Sequence, residues 1–345
     1  MTHRERCEIV SHVYMKNKSW YNIIALPVCL IGAALSLVIV FGLIEHAGSK
    51  TENFIPEETV SASGKSGGEL YYNNTWYLPK ESLETLLILG IDKRLDGSEN
   101  REASEQVDFL SLLLIEEDEE RFRILHLNRD TITDIPQTDL AGIEYGTFRG
   151  QLALAHAYGS HDGSRCRNTV RAVENLLYNI EIDHYMSLTM DAVAILNDSI
   201  GGVTLPLPDD FEGIGNRNEV VTLSGEQALH YVRARSGLED SSNLHRMERQ
   251  RQYIGALFEK FAVSSAEREE DIIDTLFRVN EYMVSDCTIE QLSVLAEQLR
   301  GYTFDGILTL AGEAVQGTEY MEFHVDETAA RQTVAELFYE PVEEN

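Results

Sequence analysis

From Ile23 to Ile44 every residue is apolar or small and none is charged, and nothing else constrains the chain so strongly. At about 1.5 Å per residue, these 22 residues make a helix of roughly 33 Å, enough to cross a bilayer. The run is too long for the apolar core of a signal peptide, about 7–15 residues, and Glu45-His-Ala-Gly48 is a poor cleavage site. It reads as an uncleaved membrane anchor; the competing reading is a buried core helix. Of the chain's 58 acidic and 28 basic side chains, two and four precede the run, so 56 and 24 follow it. Positive charge favours the cytoplasmic side, so the N-terminus is placed inside and residues 45–345 outside. Trp20 and Tyr21 suit a membrane interface.

This divides the chain into a cytoplasmic tail (1–22), a transmembrane helix (23–44), a polar linker (45–68) and an outer domain (69–345). An outer part so acidic does not suit nucleic acid, whose partners are normally basic. Of four cysteines only Cys166 and Cys287 lie outside; they could form one disulfide. No Cys/His spacing resembles a zinc site.

Within the outer domain, Leu70–Leu78 is aromatic-rich around Asn73-Asn74 and predicts a hairpin. Thr85–Ile91, Phe109–Ile115 and Phe122–Asn128 are apolar runs of strand length. The charged turn 116–121 makes the second and third an antiparallel pair. Helices are predicted over Gly150–Tyr158, Ser164–Tyr178, from a cap at Asp191 to Gly201-Gly202, from the Ser224-Gly-Glu-Gln227 capping box to Arg233, Leu244–Phe261 and Glu327–Phe338. Strands fall at Asp183–Met190, Val203–Leu207 and near Phe304–Leu310, and two acidic helices follow Ser264. The class is α/β or α+β: a mixed, partly antiparallel central sheet with helices on both faces.

Chemistry concentrates in Tyr231-Val-Arg-Ala-Arg235 and Asn243-Leu-His-Arg-Met-Glu-Arg-Gln250. Four arginines in a chain of net charge −30 point to an anion site, and the guanidinium fork suits phosphate. The plainer reading is surface ion pairing. Arg246, Arg249, Gln250 and Tyr253 share a helix face at i, i+3, i+4 and i+7. If the three apolar strands form a meander, Asp92, Asp108 and Arg129 meet at one sheet edge. Two carboxylates beside a phosphate suit Mg²⁺. His126, His156 and His161 read as structural.

At this combination the sequence resembles the LytR-CpsA-Psr family of cell-envelope proteins. The resemblance runs from about Leu86 to Phe338 through Leu-Gly-Ile-Asp92, Val-Asp108, Arg129-Asp-Thr131, His156-Ala-Tyr-Gly159, Ile182-Asp-His-Tyr185, Leu223-Ser-Gly-Glu-Gln-Ala-Leu229, Tyr231-Val-Arg-Ala-Arg235 and Arg246-Met-Glu-Arg-Gln250. It implies a deep apolar channel for a polyprenyl chain, with the pyrophosphate at its mouth. It further implies transfer of a glycopolymer from that lipid to peptidoglycan, with Mg²⁺ (or Mn²⁺) as cofactor. Asp92 and Asp108 match the metal carboxylates. Arg129, Arg233, Arg235 and Arg246 match the pyrophosphate-binding arginines and Gln250 the associated amide; Arg249 is a further substrate-binding candidate. Gln106 stands where the family often has Arg, and Asn243 where it often has Asp, and both belong to the expected substrate site.

Two other readings use the same site: a pyrophosphatase releasing the glycan to water, and a non-catalytic scaffold binding the lipid-linked glycan. A transcriptional regulator is disfavoured, because 22 cytoplasmic residues cannot form a DNA-reading fold. Arg233→Ala or Arg235→Ala is expected to abolish transfer and leave the fold intact. Wild-type-like labelling of the wall by either variant would remove these arginines from the site.

Overall fold

The computed structural model describes residues 69–91, 106–139, 142–234, 243–264 and 269–342, with backbone only for 262–264 and 269–271. The expected tail, span and linker, together with Asp92 and Arg235, lie outside the described residues. No helix among the described residues is long and apolar enough to cross a membrane.

The centre is a six-stranded mixed sheet. Its strands are β3 (Leu83–Ile91), β4 (Val107–Glu116), β5 (Arg121–Leu127), β8 (His184–Thr189), β11 (Met283–Ser285) and β12 (Thr303–Leu308), in the order β11-β8-β3-β4-β5-β12. β3, β4 and β5 form the expected antiparallel meander, while β8 joins β3 and β12 joins β5 in parallel. The middle strands read as unbroken apolar runs because both their faces are covered. On one face Leu87, Leu112 and Leu125 pack with α1 (Asp162–Leu176) and α7 (Glu327–Phe338). On the other, Leu86, Leu113 and Ile124 pack with α4 (Leu244–Ser264) and α6 (Ile289–Gly301). The expected mixed sheet with helices on both faces is thus observed. The remaining helices are α2 (Met190–Ser199), α3 (Gly225–Arg233) and α5 (Glu269–Val279).

Several local expectations are corrected. The 150–158 segment is a 3-10 helix over Leu152–Tyr158, and Gly150-Gln151 closes strand β7 (Glu144–Gln151). β7 pairs with β6 (Ile132–Thr138), whose Pro136 and polar residues hid it from a periodicity reading. Asp191 does not cap α2: Thr189 is the N-cap and Asp191 lies in the first turn, where a carboxylate meets the positive helix end. The helix ends as expected, with Gly201 and Gly202 at φ of 74° and 83°. The predicted hairpin is β1 (Leu70–Tyr72) with β2 (Thr75–Pro79), joined by β15 (Tyr339–Pro341). β9 (Thr204–Pro206) pairs with β10 (Val220–Thr222), and β13 (Gly312–Gln316) with β14 (Met321–Val325). Cys166 and Cys287 are free thiols. His161 caps α1, its Nδ1 accepting from the Ser164 N–H at 3.3 Å.

At the end of the sheet away from the arginines, the buried carboxylate of Glu116 accepts from Lys80 at 2.9 Å, Arg121 at 2.9 Å and Arg123. Burial alone would raise its pKa, but the hydrogen bonds from Arg121, Lys80 and Arg123 outweigh it and hold the carboxyl at about 2. Its contribution is full above the ordinary value of 4.5 and is lost as pH falls toward about 2. Removing one partner of a buried charge cluster costs roughly 3–5 kcal/mol. Glu116→Gln is expected to lower unfolding free energy by roughly that amount at pH 7 and to flatten its loss in acid, measured by denaturant titration.

Candidate active site

The meander brings the C-terminal end of β3, the N-terminal end of β4 and the C-terminal end of β5 to one edge. Leu110 pairs with Leu127, and Ile91 with Val107, after a register shift at Gly90/Ile91. Glycine is needed there: a Cβ on Gly90 would lie 2.8 Å from the Phe109 Cβ. The edge thus presents Gln106, Asp108 and Arg129 side by side.

The buried Asp108 carboxylate is the centre of the cluster. Its Oδ1 takes an ion pair from Arg129 Nη1 and lies 3.6 Å from Arg246 Nη2. Arg129 also donates to Gln106 Oε1 at 3.0 Å, and its Nε lies 3.4 Å from Asp130 Oδ1. Asp130 is itself held by Gln151 Nε2 at 3.2 Å and by its own N–H on Asn128 Oδ1 at 3.0 Å. Arg246 sits in the first turn of α4 and donates from Nε to Asn243 Oδ1 at 2.7 Å. Asn243 in turn reaches Asn128 Oδ1 at 3.5 Å. Each arginine is therefore aimed by an acceptor, and those acceptors include the two residues that depart from the family pattern. Asn128 and Asp130 were not among the expected site residues; their position flanking Arg129 at a strand end was the available signal.

Asp108, Arg233, Arg246 and Gln250 line a cavity of about 300 Å³ whose remaining walls are largely apolar, from Ile88 and Phe109 to Leu188, Val193 and Ile254. Gln250 Nε2 points to the Val232 carbonyl at 3.5 Å, and its buried Oε1 has no partner among the described residues. That oxygen needs a donor, which a bound hydroxyl or water would supply. Ile88 also borders a second cavity of about 480 Å³. There the walls are β3, β4 and β8 on one side and α2, α4, α5 and α6 on the other, and among the described residues only Ser199 and Thr275 of that lining are polar. A charged pocket thus borders an apolar one, with Ile88 of β3 in the wall of both.

Arg249 is placed differently from its expected role. It does not line the cavity: it donates to the Ala234 carbonyl, and its guanidinium lies 6.0 Å from the Phe211 ring centre. Burial lowers its pKa. It holds the end of α3, and so the segment carrying Arg233. Asp108, Arg129 and Arg246 come together, Arg233 joins them on the cavity wall, and Gln106 and Asn243 flank them.

The sequence pattern of the LytR_cpsA_psr family matches residues 43–338. A relative from Halalkalibacterium halodurans, polyisoprenyl-teichoic acid–peptidoglycan teichoic acid transferase TagU, is 31% identical over 63% of this chain and 65% of its own. The chain thus aligns with slightly under two thirds of that relative. The crystal structure of TagV from Bacillus subtilis has a TM-score of 0.59 at 24% identity, covering 74% of this chain and 97% of its own. TagT bound to LI-WTA has a TM-score of 0.57 at 20% identity, covering 80% and 97%. At such identities the two structures establish a common fold.

His126 on β5 is buried beneath this cluster, its ring centre 4.9 Å from that of Phe109. Burial first, and then the charges of Arg251 and Arg246, push its pKa down to about 3. A histidine kept neutral in this way stabilises the fold above its ordinary value of 6.5, and that stability is lost as pH falls toward about 3. Unfolding free energy is expected to fall by up to about 1.4 kcal/mol per pH unit in that window, and His126→Gln to flatten the slope. Denaturant titrations at pH 7.5, 6 and 5 measure it.

Proposed function

The chain belongs to the LytR-CpsA-Psr family, and on that premise we propose that it transfers a glycopolymer from a polyprenyl pyrophosphate carrier onto peptidoglycan as a phosphodiester. The observation that carries this reading is the adjacency of the two cavities, which share Ile88 as a lining residue. A cluster of arginines suits a pyrophosphate. An apolar extension beside it suits the attached hydrocarbon, and only a ligand with both parts uses both. The teichoic acid transferase named above supports the same substrate class.

In the proposed reaction, a peptidoglycan hydroxyl attacks the glycan-side phosphorus of the pyrophosphate. A new phosphorus–oxygen bond forms to the wall, and the bond to polyprenyl phosphate breaks. Catalysis rests on positioning and charge neutralisation. Arg129, Arg233 and Arg246, with Arg235 outside the described residues, neutralise the pyrophosphate oxygens. Gln250 Oε1 is an acceptor for the attacking hydroxyl or its water. Asp108 or Asp92 takes the hydroxyl proton.

The expected cation would use the Asp108 carboxylate, which at present pairs with Arg129 and Arg246. Asp108 offers a hard oxygen ligand of the kind Mg²⁺ takes, and Asp92, outside the described residues, is the second expected ligand. Bound Mg²⁺ or Mn²⁺ would supply further charge neutralisation at the phosphate oxygens. Gln106 in place of Arg removes a positive charge, and Asn243 in place of Asp removes a negative one. The two changes cancel in net charge. Both amides still aim an arginine, at 3.0 Å and 2.7 Å. This supports turnover over the scaffold reading. Residues 23–44 anchor the enzyme with its catalytic domain outside the cell membrane.

The test is the full chain in detergent with a lipid-linked glycan, peptidoglycan and Mg²⁺. Glycan bound to peptidoglycan through phosphodiester is the expected product, and chelator removes it. Arg246→Ala is expected to lower kcat by about 10²–10³-fold, the range for losing one charge-stabilising donor. Free glycan in solution would instead identify a pyrophosphatase, and binding without product would identify a scaffold.

A further inference from the structure

Well away from the cavity, three strands bring a second group of ligating side chains together. His184 opens β8, while Asp286 and Cys287 lie between β11 and α6, and one ligating atom of each falls within 4.8 Å of the others. His184 Nδ1 is 3.7 Å from Asp286 Oδ1, and Cys287 Sγ is 3.9 Å from the same oxygen. The other ring nitrogen, His184 Nε2, faces Glu84 Oε1 of β3 at 3.9 Å. β8 reaches the first cavity with Leu188 and Thr189, so His184 is about 13 Å along the strand from the nearer of them at roughly 3.3 Å per residue.

From this geometry we propose a Zn²⁺ site formed by His184 Nδ1, Asp286 and the Cys287 thiolate, with Glu84 orienting the imidazole. The donors are one nitrogen, one carboxylate oxygen and one sulfur, the ligand types that Zn²⁺ takes. With Zn–N and Zn–O near 2.0 Å and Zn–S near 2.3 Å, a tetrahedron sets N···O at about 3.3 Å and S···O at about 3.5 Å. The observed 3.7 Å and 3.9 Å exceed these by about 0.4 Å each, a closure within side-chain rotation. A carboxylate behind a metal-bound histidine fixes its tautomer and ring orientation, and Glu84 stands on that side.

The site is also preorganised by its backbone. The Tyr185 N–H donates to Asp286 Oδ1 at 2.9 Å, the Ser285 hydroxyl to the Tyr185 carbonyl at 2.7 Å, and the Cys287 N–H to Ser285 Oγ at 3.0 Å. His184 and Asp286 remain about one-third exposed, at 33% and 35%, so an ion can enter and a water can complete the coordination. On binding, the Cys287 thiol proton passes to solvent. The bound ion ties the edge of the sheet to the start of α6, whose Leu292, Leu295 and Leu299 wall the larger cavity. The site stands independently of the transfer reaction.

Cobalt tests it, because Co²⁺ reports a thiolate ligand by its charge-transfer absorption. The full chain in detergent, stripped of metal and held in excess Mg²⁺ to occupy hard oxygen sites, is titrated with Co²⁺ and then with Zn²⁺. One equivalent of Co²⁺ is expected to give the thiolate band, and Zn²⁺ to displace it. Cys287→Ser abolishes the band. His184→Gln weakens Zn²⁺ binding at least about tenfold, and Glu84→Gln, acting through the imidazole, about 10–100-fold. Unchanged circular dichroism of the metal-free variants separates ligand loss from misfolding, and Asp286→Asn, which keeps an acceptor for Tyr185, gives a further ligand change in an intact loop. No thiolate band in the wild type overturns the proposal, and so does a band that survives Cys287→Ser.

Discussion

Backbone pairing among β3, β4 and β5 decides which side chains meet at each end of the sheet. Because both faces of these strands are buried, a slip of one residue would move Leu87, Leu112 and Leu125 to the opposite face and exchange them with Leu86, Leu113 and Ile124. At one end the pairing is secured by Glu116 and its three cations. At the other, the β4–β5 register, with Leu110 opposite Leu127, puts Asp108 beside Arg129. The register is therefore a structural and a chemical constraint together. The apolar residues set it, and the charged ones occupy the positions it leaves at the ends.

The cation cluster is shaped less by its number of charges than by the acceptors that orient them. Arg129 is held between Asp108, Gln106 and Asp130, and Arg246 between Asp108 and Asn243. A guanidinium has five donors, so it can keep such partners and still present N–H groups to a phosphate. Long side chains fixed in this way lose little further entropy when the anion arrives.

Much of this was legible from residues alone. Three apolar runs, two of them joined by a wholly charged turn, point to a meander, and a meander puts Asp108 and Arg129 at one edge, as observed; the third expected member, Asp92, lies outside the described residues. The capping box at Ser224 and the glycines after α2 mark helix ends through chemistry that tertiary contacts rarely override. Arg249 was misplaced because helical spacing puts it on a face with Arg246 without saying where that face stops meeting the cavity. β6 and β7 escaped because Pro136 and scattered polar residues erase the alternation. The His184, Asp286 and Cys287 group has no spacing to find. Its members, with Glu84, come from segments about a hundred residues apart, and only the β3–β8–β11 order makes them neighbours.

The two cavities meet at Ile88. A β-branched side chain is stiff about its first torsion, so the surface it gives each cavity is better defined than leucine or methionine would give. It behaves as a fixed point in the wall between a charged compartment and an apolar one. A change of size at residue 88 would therefore alter the shape of both compartments at once, so neither can be enlarged there without changing the other.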